Sequence, residues 1–359
     1  MSLKTAWEKV RGTYGPIQVN LEPTIRCNLK CRMCDRTEKS KYLEYQNNEL
    51  KTQIIFNLIR DLEIMGTKQI LIAGGGEPLM RKDICQIITK IKESRIYLHL
   101  WTNGTLITRT NFKFLADNID MLTISLDGPT QDLHDRIRGV KGTFKNIVKG
   151  LNLFKRLDKK PYLRIHMVLS RLNYKSLKSF VDFAIKYEIN EIGGAMINPF
   201  NFVSPELIIS KNEIQKIQSK IMDFINYANK SGINLAGIFN PIFPNEIERL
   251  KKLYNFQGIN KKNITTCFGL WEWSSIRPNG DVSICCFTNK PILGNLNKYS
   301  FKEIWNSKKA NKLRSLVKRT HLIDSVCKGC MLGQPILTWL IQNEEKFEKI
   351  LNEITINSR

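Results

Sequence analysis

The sequence predicts an α/β fold, a partial (βα)6 TIM-like barrel followed by a small α+β region, and three observations predict it. Apolar runs of strand length alternate with longer segments of helical period up to about residue 235. Polar or glycine-rich signals follow each of the first four strand candidates, where such folds carry their sites. Beyond residue 235 the alternation gives way to a Pro/Asn/Lys-rich passage, a hairpin signal and spaced cysteines. The expected division is 15–235 for the barrel, 236–335 for the smaller domain and 336–359 for a terminal amphipathic helix.

The strand candidates are Ile17–Leu21, Gln69–Ala73, Tyr97–Trp101, Met121–Leu126, Leu163–Leu169 and Glu191–Ile197. Helix candidates lie near 49–65, 81–94, 110–118, 144–157, 174–187 and 211–229. Parallel neighbours need a crossover, and a helix between each pair supplies it. Cys27, Cys31 and Cys34 follow the first strand, Gly74–Pro78 (GGGEP) the second, Thr102–Gly104 (TNG) the third and Ser125–Gly128 (SLDG) the fourth. Four signals on one rim mark it as the candidate site. Further on, WEWSSIRPNGDVSICC reads as two β-prone arms around Pro-Asn-Gly-Asp, with Trp271 and Trp273 packing towards the barrel. Phe301–Trp305 and Ala310–Val317 have helical spacing.

Composition narrows the class. The 359 residues, 42% hydrophobic and 25% charged, suit a globular protein with a large core. No window reaches the roughly 18 apolar residues of a membrane helix, and the N-terminus lacks a signal-peptide core, so a cytoplasmic enzyme is expected. The net charge of +23 suits an acidic substrate, an anionic cofactor, nucleic acid or an acidic peptide. Its Lys excess is spread along the chain, however, and only Lys308–Arg319 is dense, which argues against a nucleic-acid surface.

Nine cysteines, an odd number set in pairs and triples, favour metal ligation over disulfides. Cys85 stands apart on a helical pattern and is expected to be buried there. The triple CNLKCRMC can hold three corners of an iron–sulfur cube and leave one iron open. Zinc is the alternative, but it needs a fourth ligand, and the nearest histidine in sequence is His99. Cys267, Cys285, Cys327 and Cys330 form a second set, for which a zinc ribbon is a serious rival to a cluster. His134 and His166 lie near the rim, where a hydrogen-bonded structural role is the commoner one.

The triple together with Gly75-Gly76-Glu77-Pro78 resembles the radical S-adenosylmethionine (radical SAM) superfamily over roughly residues 15–235. The resemblance implies a [4Fe–4S] cluster on Cys27, Cys31 and Cys34 whose open iron binds S-adenosylmethionine (SAM). Reductive cleavage of SAM then gives a 5′-deoxyadenosyl radical that removes a substrate hydrogen. It also implies that Gly75, Gly76 and Glu77 face the SAM amine, that Thr102, Asn103 and Ser125 lie near its ribose or carboxylate, and that Arg138 meets the carboxylate. Met33 stands where the family usually has an aromatic residue.

The second cysteine set, with GDVSIC and CKGC, resembles the SPASM/twitch extensions of the same superfamily, implying an auxiliary [4Fe–4S] cluster on Cys267, Cys285, Cys327 and Cys330. Adjacent Cys286 is a bystander, a swapped ligand or a catalytic thiol donating hydrogen to a substrate radical. The expected reaction is oxidation of a small, sugar-like substrate, with the auxiliary cluster accepting an electron and flavodoxin or ferredoxin supplying the first one. The short stretch before Ile17 tilts this towards a small substrate. Modification or epimerisation of a ribosomal peptide is the alternative, and a zinc-bearing nucleic-acid-binding protein is the reading from another class.

Overall fold

A computed structural model describes residues 15–34, 48–196, 205–209, 211–237, 239, 269–284 and 291–320. Seven parallel strands follow one another across the sheet: β1 (Gln18–Leu21), β2 (Gln69–Ile72), β3 (Tyr97–Thr102), β4 (Met121–Ser125), β5 (Tyr162–Leu169), β6 (Glu191–Met196) and β7 (Asn234–Gly237). Between them run α1 (Thr52–Ile64), α2 (Ile84–Glu93), α3 (Phe112–Asn118), α4 (Gln131–Arg138), α5 (Thr143–Phe154), α6 (Leu177–Lys186) and α7 (Lys211–Lys230). The sheet and its helices form the partial barrel that the alternation predicts.

Period-2 patterning decides the two faces. On β5, Leu163, Ile165, Met167 and Leu169 are buried in the apolar core, while Tyr162, Arg164 and His166 alternate with them on the other face. The helices answer with period-3.6 stripes, as in Ile84, Ile87, Ile88 and Ile91 of α2. Each such buried isoleucine contributes on the order of 1.5–3 kcal/mol. Cys85 sits on α2 as expected but is exposed, because the isoleucines at 84, 87, 88 and 91 occupy the inward stripe and its neighbour in sequence points away.

Four elements escaped the pattern, among them the helical turn Gly269–Glu272, which takes Trp271 and Glu272 out of the expected first strand arm so that the strand starts only at Trp273. Strand β7 is four residues long on the sheet edge and shows no alternation. Helix α4 has only Leu133 and Ile137 as apolar residues, too few to reveal a stripe. After α8 (Gly269–Glu272), the hairpin forms as β8 (Trp273–Ile276) and β9 (Asp281–Ser283), with β10 (Ile292–Asn295) unexpected beside it. Strand β8 does not stand apart from the barrel. It runs parallel to β1, with Gln18 opposite Trp273 and Leu21 opposite Ile276, so the hairpin extends the barrel sheet. Trp271 is buried, as packing against the barrel requires.

Helices α9 (Phe301–Trp305) and α10 (Lys308–Thr320) complete the described chain. Helix α9 starts on a capping box in which Ser300 and Glu303 satisfy each other's backbone N–H groups. Cys267, Cys285, Cys286, Cys327, Cys330 and the helix expected near 336–354 lie outside the described residues.

Candidate active site on the barrel rim

Leu21 ends β1, and the chain turns through Thr24 and Arg26 into the cysteine loop. Cys27, Cys31 and Cys34 form no disulfide, with Cys31 8% exposed and the other two half-buried. Two of the sulfurs receive N–H groups. The Leu29 amide lies 3.5 Å and the Asn103 Nδ2 4.0 Å from Cys27 Sγ. Arg138 Nη1 donates to Cys31 Sγ at 3.7 Å. Burial pushes the Cys31 thiol above its ordinary range, and the Arg138 cation pulls against it.

The GGGEP loop presses on this segment through backbone. Gly76 N–H donates to Thr24 O and Glu77 N–H to Arg26 O, both at 2.7 Å. A Cβ on Gly76 would lie 2.0 Å from Arg26 O, so only glycine permits the approach. The close approach therefore serves the chain's own backbone at residues 24–26.

Glu77 is 2% exposed, and its carboxylate is fully engaged. It accepts from Thr102 Oγ1 at 2.6 Å, Asn103 N at 2.7 Å and Leu79 N at 3.2 Å. Burial raises its pKa against these three donors. Asn103 in turn donates Nδ2 to Asn28 Oδ1 at 2.8 Å, and its Oδ1 accepts from the Thr105 amide and hydroxyl. Glu77, Thr102 and Asn103 thus form one wire from the second loop through the third to the cysteine loop.

Ser125, ending β4, accepts from Trp101 Nε1 at 3.2 Å on the barrel's inner face. His166, opposite Ser125 in the β4–β5 register, meets Trp101 edge-on with ring centres 4.6 Å apart. Among the described residues no hydrogen bond to the His166 ring is present, and burial lowers its pKa to about 3, so the imidazole there is neutral. His134 takes the structural role, accepting from the Asp127 amide at 3.2 Å, and burial likewise lowers its pKa to about 3.

Arg138 closes the site from α4. Its Nε lies 2.6 Å from Asp127 Oδ2, a carboxylate with no exposed surface. Three contributors were not singled out from sequence. Asp127 hides in SLDG, an ordinary turn sequence until its counter-ion is known. Gly139 caps α4 at φ +73°, and a Cβ there would lie 2.1 Å from Lys30 O of the cysteine loop. Arg81, buried after the GGEP turn, donates to Pro23 O and Leu50 O at 2.7 Å and braces the approach to the loop. An arginine after a proline turn carries no signal of its own.

Three sulfurs on one loop, with N–H donors turned to two of them, are a donor set that suits a [4Fe–4S] cluster with one iron left to another ligand. The site's relatives agree. The radical SAM superfamily model matches residues 21–184, and an iron–sulfur cluster-binding domain, SPASM, matches residues 267–331. The AdoMet-dependent heme synthase of Methanosarcina barkeri is 27% identical over 89% of this chain and 92% of its own length. The PqqA peptide cyclase of Rhodopseudomonas palustris is 24% identical over 89% of this chain and 81% of its own. Among solved structures, Streptococcus suis SuiB bound to its precursor peptide SuiA superposes with a TM-score of 0.65 at 20% identity, covering 87% of this chain and 69% of SuiB. The chain belongs to the radical SAM superfamily and is an enzyme that uses SAM and [4Fe–4S] clusters, with a SPASM domain following its barrel.

Proposed function

We propose that the chain modifies a peptide by hydrogen-atom abstraction and net oxidation. Cys27, Cys31 and Cys34 would hold the SAM-binding cluster, and Cys267, Cys285, Cys327 and Cys330 the auxiliary one. When bound, cluster and SAM supply a 5′-deoxyadenosyl radical able to attack an unactivated C–H bond. The chain's own residues do the positioning. Backbone at Gly75 and Gly76, with Glu77, Thr102 and Asn103 behind it, shapes the SAM pocket; Ser125 and Arg138 border it. Trp101 and His166 line the inner face below Ser125, where a substrate group would meet a neutral imidazole.

The observation that carries the radical reading is the three-cysteine loop, outside any disulfide, with Cys27 tied to Asn103 and Cys31 to Arg138 of neighbouring elements. The peptide reading draws support from a relative whose name records peptide work, the PqqA peptide cyclase. It is preferred to the sugar-like substrate expected from sequence. The heme synthase relative favours a second reading, oxidation of a carboxylate-bearing tetrapyrrole, which the net charge of +23 also suits. Reduced flavodoxin or ferredoxin would deliver the first electron, and Cys286 remains a candidate thiol donor. Among the described residues no helix is long and apolar enough to cross a membrane.

Anaerobically reconstituted protein should be brown and carry about eight irons if both clusters are [4Fe–4S]. With dithionite and SAM it should form 5′-deoxyadenosine, and a precursor peptide encoded beside its gene should lose hydrogen by mass spectrometry. Oxidation of iron coproporphyrin III without change to any peptide would select the second reading. Colourless zinc protein with salt-sensitive DNA binding would sink both.

A further inference from the structure

Arg138 is held in place by the chain's own groups. Its side chain is 12% exposed, and its Nε lies 2.6 Å from the Asp127 carboxylate, which has no exposed surface. Asp127 is itself held by the Val168 amide at 2.7 Å, and its backbone carbonyl accepts from Asn173 Nδ2 at 3.0 Å. The end of α4 is locked to the cysteine loop through Arg32 N to Ile137 O at 3.0 Å and through the bare Gly139 against Lys30 O. From that fixed position Nη1 donates to Cys31 Sγ at 3.7 Å.

We infer that Arg138 sets the reduction potential of the cluster on Cys27, Cys31 and Cys34, with Asp127 as the residue that aims it. The inference rests on those cysteines holding the cluster. A cation donating N–H to a ligand sulfur stabilises the extra negative charge of the reduced state, so it raises the potential. Arg138 acts through the sulfur and is a positioning and tuning residue in this role. The role differs from holding the SAM carboxylate, because it operates with SAM absent.

The test is EPR-monitored redox titration of holoenzyme without SAM, following the signal whose g-values shift when SAM is later added. In R138Q the reduced-to-oxidised ratio at fixed potential should fall about tenfold, a drop of about 59 mV for a one-electron couple. SAM affinity, read by equilibrium dialysis, reports separately on the pocket that Arg138 borders. An unchanged potential with SAM affinity down tenfold overturns the inference and assigns Arg138 to the carboxylate. Should R138Q fail to load iron, R138K decides. It keeps the charge but loses the fork held by Asp127, so a smaller drop in potential supports the inference and an unchanged potential overturns it. A parent enzyme with no SAM-sensitive signal would instead refute the cluster assignment itself.

Discussion

Replacing Glu77 by Gln tests whether this residue clamps the rim or serves only SAM. The carboxylate accepts from Thr102 Oγ1, Asn103 N and Leu79 N at 2.6, 2.7 and 3.2 Å with 2% of the residue exposed. A glutamine has one acceptor oxygen and turns an NH2 group towards the remaining donors. The Thr102 hydroxyl can turn to accept, since Gly104 N takes only one of its two lone pairs, but the Asn103 and Leu79 amides are fixed donors and cannot both face the one remaining oxygen. One or two hydrogen bonds to a charged group are therefore lost, each with a net value of about 1.5–3 kcal/mol. Relief of burying the charge offsets part of this, leaving about 2–4 kcal/mol, a large share of a typical 5–15 kcal/mol stability.

Urea denaturation of the SAM-free protein measures it. At a slope of about 2–3 kcal/mol per molar, the midpoint of E77Q should fall by about 1 M. Iron loading of the β1 loop should fall with it, because the Glu77 and Asn103 connection to Asn28 slackens. An E77Q protein with unchanged midpoint and iron content, but weakened SAM binding, would refute the clamp and return Glu77 to the SAM amine.

Further outcomes follow from the same geometry. Cys27→Ala, Cys31→Ala or Cys34→Ala should abolish 5′-deoxyadenosine formation, whereas Cys327→Ala should still cleave SAM while losing substrate turnover, both read by chromatography. Gly139→Ala places a side chain at φ +73° with its Cβ 2.1 Å from Lys30 O, and should cost about 1–3 kcal/mol and lower iron loading. Glu272 is 3% exposed, and burial raises its carboxyl to about 7. Since its folded pKa exceeds the unfolded one, its contribution is fully present below about pH 4.5 and lost as pH rises through about 7. E272Q should therefore be more stable than the parent at pH 8 by up to about 3 kcal/mol and indistinguishable at pH 4.5, measured by denaturation across that range.

How much of this was legible in the sequence depended on whether a residue's signal is local. Strands β1 to β6 carry their own apolar runs, and five of the six helices expected in the barrel carry full stripes; α3 needs only Leu115 and Ala116. Strand β7 and helix α4 draw their stability from neighbours, and their sequences say little alone. The parallel pairing of β8 with β1 joins residues 255 positions apart, as the separation of Glu22 and Arg277 shows, and no periodicity reports such a partner. The rim was visible because spacing and glycines are local signals. What each side chain does there was not, because Glu77, Asn103 and Arg138 are defined by partners on other loops.

Those partners change what the rim motifs are for. The cysteine loop is held on three sides: by the Gly76 and Glu77 amides at residues 24–26, by Asn103 at Asn28, and by the α4 corner at Lys30 and Arg32. A loop ordered by its own backbone bonds has already met much of the entropy cost of binding, so a cluster assembles on a shaped site. The motif side chains that identify the superfamily are spent on this wiring and have little left with which to discriminate substrates. If the rim holds SAM as proposed, discrimination falls to the inner face below Ser125, to Trp101 and His166, where His166 offers an imidazole without a hydrogen bond among the described residues.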